Sequence, residues 1–244
     1  MYKAPIALQL YSLRKAYGEN PLKTMKTVKE FGYDGVEFYG NSFTPEFYAA
    51  LLKESGLVCA GWHTGIDALE GEQFMKTVQL NLAVGNRFIC VPWFKSEKLD
   101  DWKLLADRLN AAAEKLAPFG MFTGYHCHAH EFTPVEGVLP WDVIAQNTDP
   151  HVILQLDTGN CASGNADPLA FLTKYPGRNK SVHLKPFSKA DGFNPAIGAD
   201  DLPWKSLLGY CRAEGRTEWF VVEYEPEADP FGKVEQSIQF LKTL

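Results

Sequence analysis

Eight short apolar runs recur along the chain, and each is followed by a stretch whose apolar positions have helical spacing. The runs cover 6–11, 35–39, 57–63, 87–93, 121–128, 152–157, 181–185 and 219–225. Helix-forming signals separate them. Asn20-Pro21 opens a helical pattern that runs to Phe31 and is stopped by Gly32, and Thr44-Pro45-Glu46 opens one that runs to Ser55. Further helices are predicted over 67–84, 99–117, from Pro140, from Asp167-Pro168, over 204–214 and from Pro230 to Leu244. Strict strand–helix alternation implies right-handed βαβ units and a parallel sheet. Parallel strands are buried on both faces, which explains why these runs are continuously apolar rather than alternating. Eight units in 244 residues fit an α/β chain folded as a single (β/α)8 TIM barrel spanning 1–244. A doubly wound open sheet calls for a glycine-rich phosphate turn after its first strand, and Tyr11-Ser12-Leu13-Arg14 is no such turn.

Charge and cysteine content narrow the function classes. A net charge of −6 and a pI near 5.5 disfavour backbone-driven nucleic-acid binding. No apolar run approaches the roughly 20 residues of a membrane span. Met1-Tyr2-Lys3-Ala4-Pro5-Ile6 has no signal-peptide character. The 5 cysteines form no C-x-x-C pair, which suits a reduced, cytoplasmic protein. The expected partner is a small molecule, with no nucleic acid and no membrane, and the composition is compatible with a homo-oligomer.

The chemistry concentrates in Tyr125-His126-Cys127-His128-Ala129-His130-Glu131-Phe132, which holds three of the 6 histidines. If this run is a strand, His126, His128 and His130 share one face and Glu131 falls at its end. Single polar residues also end other apolar runs: Glu37, His63, Asp157 with Asn160 after it, His183 with Lys185, and Glu223 with Glu225. In a TIM barrel those ends form the active-site face. Acidic and imidazole groups on strands five to eight can therefore meet at one point, where a divalent cation would neutralise them. The plainer alternative is an ion-pair network such as Asp157 with Lys185. Glu37 can also be read as a satisfied core carboxylate and His63 as a loop cap. Tyr11, Trp62, Trp93 and Phe187 are either core or a stacking wall for a sugar ring.

On these motifs the chain resembles the xylose isomerase-like TIM-barrel superfamily of sugar isomerases and epimerases. The shared elements are Y-H-x-H-x-x-E-F (Tyr125, His126, His128, Glu131, Phe132), Asp157-Thr158-Gly159-Asn160, His183-Leu184-Lys185, Val221-Val222-Glu223 and Gly32-Tyr33-Asp34-Gly35-Val36-Glu37. The resemblance implies one divalent metal held by Glu131, Asp157, His183 and Glu223, with His126 or His128 as the alternative strand-five ligand. Mn2+, Mg2+ or Co2+ would suit three oxygens and one nitrogen, with Zn2+ as a further candidate. It also implies proton abstraction next to the carbonyl of a keto-sugar or related polyol, through an enediolate that the metal stabilises. Glu223 and Glu131 are the candidate bases, with His128 as a further catalytic group. Lys185 and His63 would hold substrate oxygens, and His126, Asn160, Glu37 and Trp93 would line the substrate site. A lyase using the same enolate, like inosose dehydratases or enzymes cleaving 3-keto-glycosides, is the alternative. An AP-endonuclease-like nuclease fits the acidic balance poorly, and a sugar-binding module without catalysis would not need the ligands and bases.

Overall fold

In a computed structural model describing residues 4–244, the apolar runs pair as eight parallel strands. Met1, Tyr2 and Lys3, part of the N-terminal segment considered above, lie outside the described residues. The strands are β1 (Ile6–Gln9), β2 (Gly35–Tyr39), β3 (Val58–His63), β4 (Phe88–Val91), β5 (Phe122–His126), β6 (Ile153–Gln155), β7 (Ser181–Leu184) and β8 (Trp219–Val222). Their order is β6-β5-β4-β3-β2-β1-β8-β7, with each neighbour pair parallel. The sheet comes back to its own start: a parallel bridge joins Asp157, just past β6, to His183 in β7. The result is a nearly closed TIM barrel.

Helices follow the strands where capping chemistry starts and stops them. Asn20 accepts from the Lys23 amide at 3.0 Å, Pro21 occupies the first turn, and Gly32 ends the helix Pro21–Phe31 at φ 94°. Thr44 caps Pro45–Ser55 in the same way. The expected helix over 67–84 is broken. Two short 3-10 turns, Ile66–Leu69 and Gly71–Gln73, precede a helix confined to Phe74–Ala83, with Gly71 at φ 51° inside the break. Two short helices went unread in the sequence, Arg14–Glu19 and Thr158–Ser163.

Strand parity divides the interior. Side chains such as Ile6, Leu8, Val36, Phe38, Tyr125, Leu154, Val182, Leu184, Phe220 and Val222 point out of the barrel and join the large core beneath the helices. Their alternates point inwards. Ala7, Ala60 and Val221 form one small cluster there, and Phe88, Cys90 and Ile153 another. Above them, towards the strand C-termini, the inward positions become polar: Gln9, Glu37, His126, Gln155 and His183, each buried. The site is built on that polar layer.

Candidate active site

Parity also decides which of the strand-five residues reach the site. β5 ends at His126, which points inwards, while Tyr125 and Cys127 point out into the helical core. His128 and His130 do not continue the strand. The chain turns after His126 into a 3-10 turn, Ala129–Phe132, so the three histidines do not share one strand face. His126, Asp157, His183 and Glu223 bring one ligand atom each within 4.8 Å of one another, and all four are buried. His63 forms a second such group with His126 and His183.

Glu131, expected as a ligand and a base, is held elsewhere. It is 0% exposed. Its Oε1 accepts from the Tyr125 hydroxyl at 2.5 Å and lies 3.2 Å from His130 Nε2, and its Oε2 accepts from the His128 amide at 2.8 Å. Tyr125 is an outward residue, so the carboxylate that follows it lies on the outer side of β5. The strand-five donor in the cluster is His126, one of the two alternatives to Glu131.

The donor set fits a cation. His126 Nδ1 and Asp157 Oδ2 are buried without a hydrogen-bond partner among the described residues, and such orphaned polar atoms are costly unless something pairs with them. Asp157 commits only its Oδ1, which caps the helix Thr158–Ser163 by accepting from the Asn160 amide at 2.7 Å. Burial pushes the Asp157 carboxyl up to about 7, with nearby Glu223 adding to the rise against the pull of Lys185. Glu223 is held well below the usual carboxylate range: Lys185 and His183 outweigh its burial. His183 has carboxylates on both ring nitrogens, Glu223 Oε2 at 2.6 Å from Nδ1 and Glu37 Oε2 at 2.6 Å from Nε2. Burial opposes its charge, but Glu37 and Glu223 raise it to about 10. Burial also keeps His126 and His128 neutral, His128 being lowered to about 3.

A cavity of about 500 Å3 opens over this cluster and is lined by Gln9, His63, His126, His128, Trp93 and Glu223 among others. Trp93 is 56% exposed, and its ring lies 4.6 Å from His128 and 4.7 Å from His130. It therefore stands as part of the wall rather than the core, as does Tyr11 across the mouth. Trp62 is core, stacked on Phe38.

Three expected substrate contacts are not in the cavity lining. Glu37 is 1% exposed and faces the polar layer beneath. The Asn160 side chain donates to the Cys127 carbonyl at 3.1 Å, which ties it under Asp157. Lys185 is buried, with Nζ 2.8 Å from Glu225 Oε1, 3.9 Å from Glu223 Oε1 and 4.8 Å from the centre of the Phe193 ring. It supplies charge to the two glutamates from behind. Gln9 and Gln155 went unread, although each is a lone polar residue ending an apolar strand. They are amides, so they did not stand out beside titratable groups.

The chain belongs to the xylose isomerase-like TIM barrel family, whose profile matches residues 25–244. Among particular relatives, an inosose dehydratase from Salmonella typhimurium (strain LT2) is 28% identical over 153 residues, which is 55% of this chain and 50% of that protein. The chain thus matches about half the length of that relative. A crystal structure described as a sugar phosphate isomerase/epimerase from Parabacteroides distasonis superposes with a TM-score of 0.87 at 21% identity, covering 99% of this chain and 94% of the other. An L-ribulose 3-epimerase superposes with a TM-score of 0.74 at 14% identity, covering 99% and 94%. No helix among the described residues is long and apolar enough to cross a membrane.

Proposed function

We propose that this protein is a divalent-metal-dependent isomerase. In this reading it removes a proton from the hydroxyl-bearing carbon beside the carbonyl of a keto-sugar or related polyol and returns it from the same side to the former carbonyl carbon, while the proton of that hydroxyl passes to the carbonyl oxygen. The observation that carries the reading is the position of the carboxylates around the cavity. Glu223 and Glu225 line it, both follow β8, and Glu131 is locked behind β5. Inversion by two opposed carboxylates therefore lacks its second member, whereas a single base that takes and returns one proton has what it needs.

His126, Asp157, His183 and Glu223 would hold the ion. When bound, a divalent cation supplies positive charge against the substrate oxygens and lowers the cost of leaving an electron pair on the neighbouring carbon. With His126 in the set, the donors are two imidazole nitrogens and two carboxylates. That combination favours Mn2+, Co2+ or Zn2+ over Mg2+. Glu223 turns Oε2 to His183 and leaves Oε1 to take the proton from carbon. Lys185, behind it, keeps the carboxylate ionised until it does so. His63 and His128 offer neutral imidazoles to substrate hydroxyls, and Trp93 offers a flat apolar face to a sugar ring.

A dehydratase is the second reading, favoured by the name of the Salmonella relative. The same base would remove the same proton and hand it to a hydroxyl on the next carbon, which leaves as water. Incubating the metal-loaded protein with a panel of keto-sugars and inososes in D2O tests both. Deuterium entering a carbon next to the carbonyl, with a ketose–aldose or positional isomer as product, supports the isomerase. Loss of water supports the dehydratase, and an inverted centre would require a second base such as His128. If no panel member exchanges a proton, the proposal fails.

A further inference from the structure

Glu37 is a charged residue that the reaction above does not use, yet the polar layer of the barrel is organised around it. Its Oε2 receives two donors, His183 Nε2 at 2.6 Å and Gln9 Nε2 at 2.7 Å, and lies 3.0 Å from His63 Nε2. Its Oε1 receives Gln155 Nε2 at 2.9 Å. The hydrogen-bond directions can be assigned from the partners. Gln9 Oε1 accepts from the Tyr11 amide at 3.1 Å, so its Nε2 must be the end that faces Glu37. Gln155 gives its Nε2 to Glu37 and to Ser181 Oγ, so its Oε1, 2.7 Å from His63 Nε2, is an acceptor there. Nε2 of His63 therefore carries a proton. Nε2 of His183, which faces a carboxylate, carries one too. The two rings lie parallel, with an interplanar angle of 9° and centroids 5.2 Å apart.

The backbone makes room for this carboxylate in two places. The β2–β3 register slips between Val36 and Glu37, which places Glu37 opposite Gly61. A Cβ on Gly61 would run into the Glu37 carboxylate. A bulge and a glycine at the same point are what a strand pair needs to admit a carboxylate into a closed interior.

We propose that Glu37 is the positioning residue of the centre, fixing the tautomer and ring plane of His183 directly and of His63 through Gln155, so that His183 keeps its Nε2 proton and turns Nδ1 towards the cluster, where a metal would displace the proton shared with Glu223. The inference rests on reading His183 as a metal ligand. Metal-binding histidines commonly donate their second N–H to a carboxylate, which sets ring orientation and basicity. Glu37 does this for His183 and also orders the neighbouring cavity histidine. A glutamine cannot replace it. An amide nitrogen at either carboxylate position would face donors, from Gln155 on one side and from Gln9 and His183 on the other.

The test reads tautomers and affinity, without substrate. In the Zn2+-loaded wild-type protein, 15N-histidine NMR should show His183 protonated at Nε2 and metal-bound at Nδ1, with His63 protonated at Nε2. Glu37→Gln should weaken Zn2+ and Mn2+ binding by about 10–100-fold in calorimetry, the usual effect of removing such a partner. It should also give His183 a population with the proton on Nδ1. Gly61→Ala, which crowds the carboxylate without removing it, should shift both readouts in the same direction. Coordination of wild-type His183 through Nε2, or a Glu37→Gln protein with wild-type metal affinity, would overturn the inference, and the first result needs no variant to fold. Glu37-dependent metal binding without proton exchange in any sugar would sustain it while sinking the isomerase. If wild-type protein binds none of these metals, both fall.

Discussion

The Tyr125 hydroxyl donates a hydrogen bond to Glu131 Oε1 at 2.5 Å, and this pair fixes the path of the chain after β5. The same carboxylate accepts from the His128 amide, forming a capping box at the turn Ala129–Phe132. Glu131 thus holds the histidine loop in place from behind. Glu131→Ala leaves buried donors without partners and should cost roughly 1–3 kcal/mol in chemical denaturation. Calorimetric metal affinity should stay within about threefold of wild type, since the deletion leaves all four cluster residues in place; a tenfold drop, about 1.4 kcal/mol, would return Glu131 to the ligand set.

Asp157 divides its oxygens between two tasks, Oδ1 capping a helix and Oδ2 facing the cluster. Asp157→Asn can keep the cap while turning an amide nitrogen to the cluster. It should purify without bound metal and show no saturable metal binding, at near wild-type secondary structure by circular dichroism. Metal content equal to wild type would remove Asp157 from the site.

Glu223→Gln keeps the shape and one oxygen of the proposed base. Turnover and deuterium exchange beside the carbonyl should fall by about 10²–10⁴-fold, the usual weight of general-base catalysis. Substrate affinity, read by quenching of tryptophan fluorescence including that of the exposed Trp93, should survive in part. A variant that exchanges at wild-type rate would move the base to His128.

Metal affinity should rise with pH. Without metal, His183 is raised to about 10 by Glu37 and Glu223, so at neutral pH it holds a proton on the nitrogen that a metal needs. Binding must displace that proton. The apparent association constant should therefore increase by about tenfold per pH unit from pH 7.5 to 9, where this single proton is released, and more steeply below pH 7, where Asp157 is protonated as well. Titration in buffers of different ionisation enthalpy counts the protons. A pH-independent constant would mean that His183 is not a ligand.

The barrel was legible because both faces of its strands are buried, which leaves eight apolar runs between capped helices. The strand ends were not. Runs read through Lys185 and Glu225 stop pairing at Leu184 and Val222, because neither Lys185 nor Glu223-Tyr224-Glu225 contains a breaker that marks the last ladder bond. That overshoot also made His126, His128 and His130 look like one face. Asp157, His183 and Glu223 stand out in the sequence because each is a lone polar residue at the end of an apolar run, and the structure brings them together. As a ligand His126 is legible only as an alternative to Glu131, since the outward turn after β5 depends on the contact of Glu131 with Tyr125. Gln9 and Gln155 carry no charge, and their importance lies in the carboxylate they surround, which no local pattern reveals.

The bridge between Asp157 and His183 is where the sheet meets its own beginning. β6 and β7 are held there by few main-chain bonds, among them the His183 amide to the Leu156 carbonyl at 2.9 Å. Two members of the cluster, His126 and Asp157, stand on one side of this seam, and His183 and Glu223 stand on the other. An ion drawn from all four would act as a clasp on the weakest join of the cylinder. Loss of the ion would then be felt as mechanics as well as chemistry. Amide hydrogens of β6 and β7 should exchange faster in chelator-treated protein, while those of β1 to β4, on the far side, keep their protection.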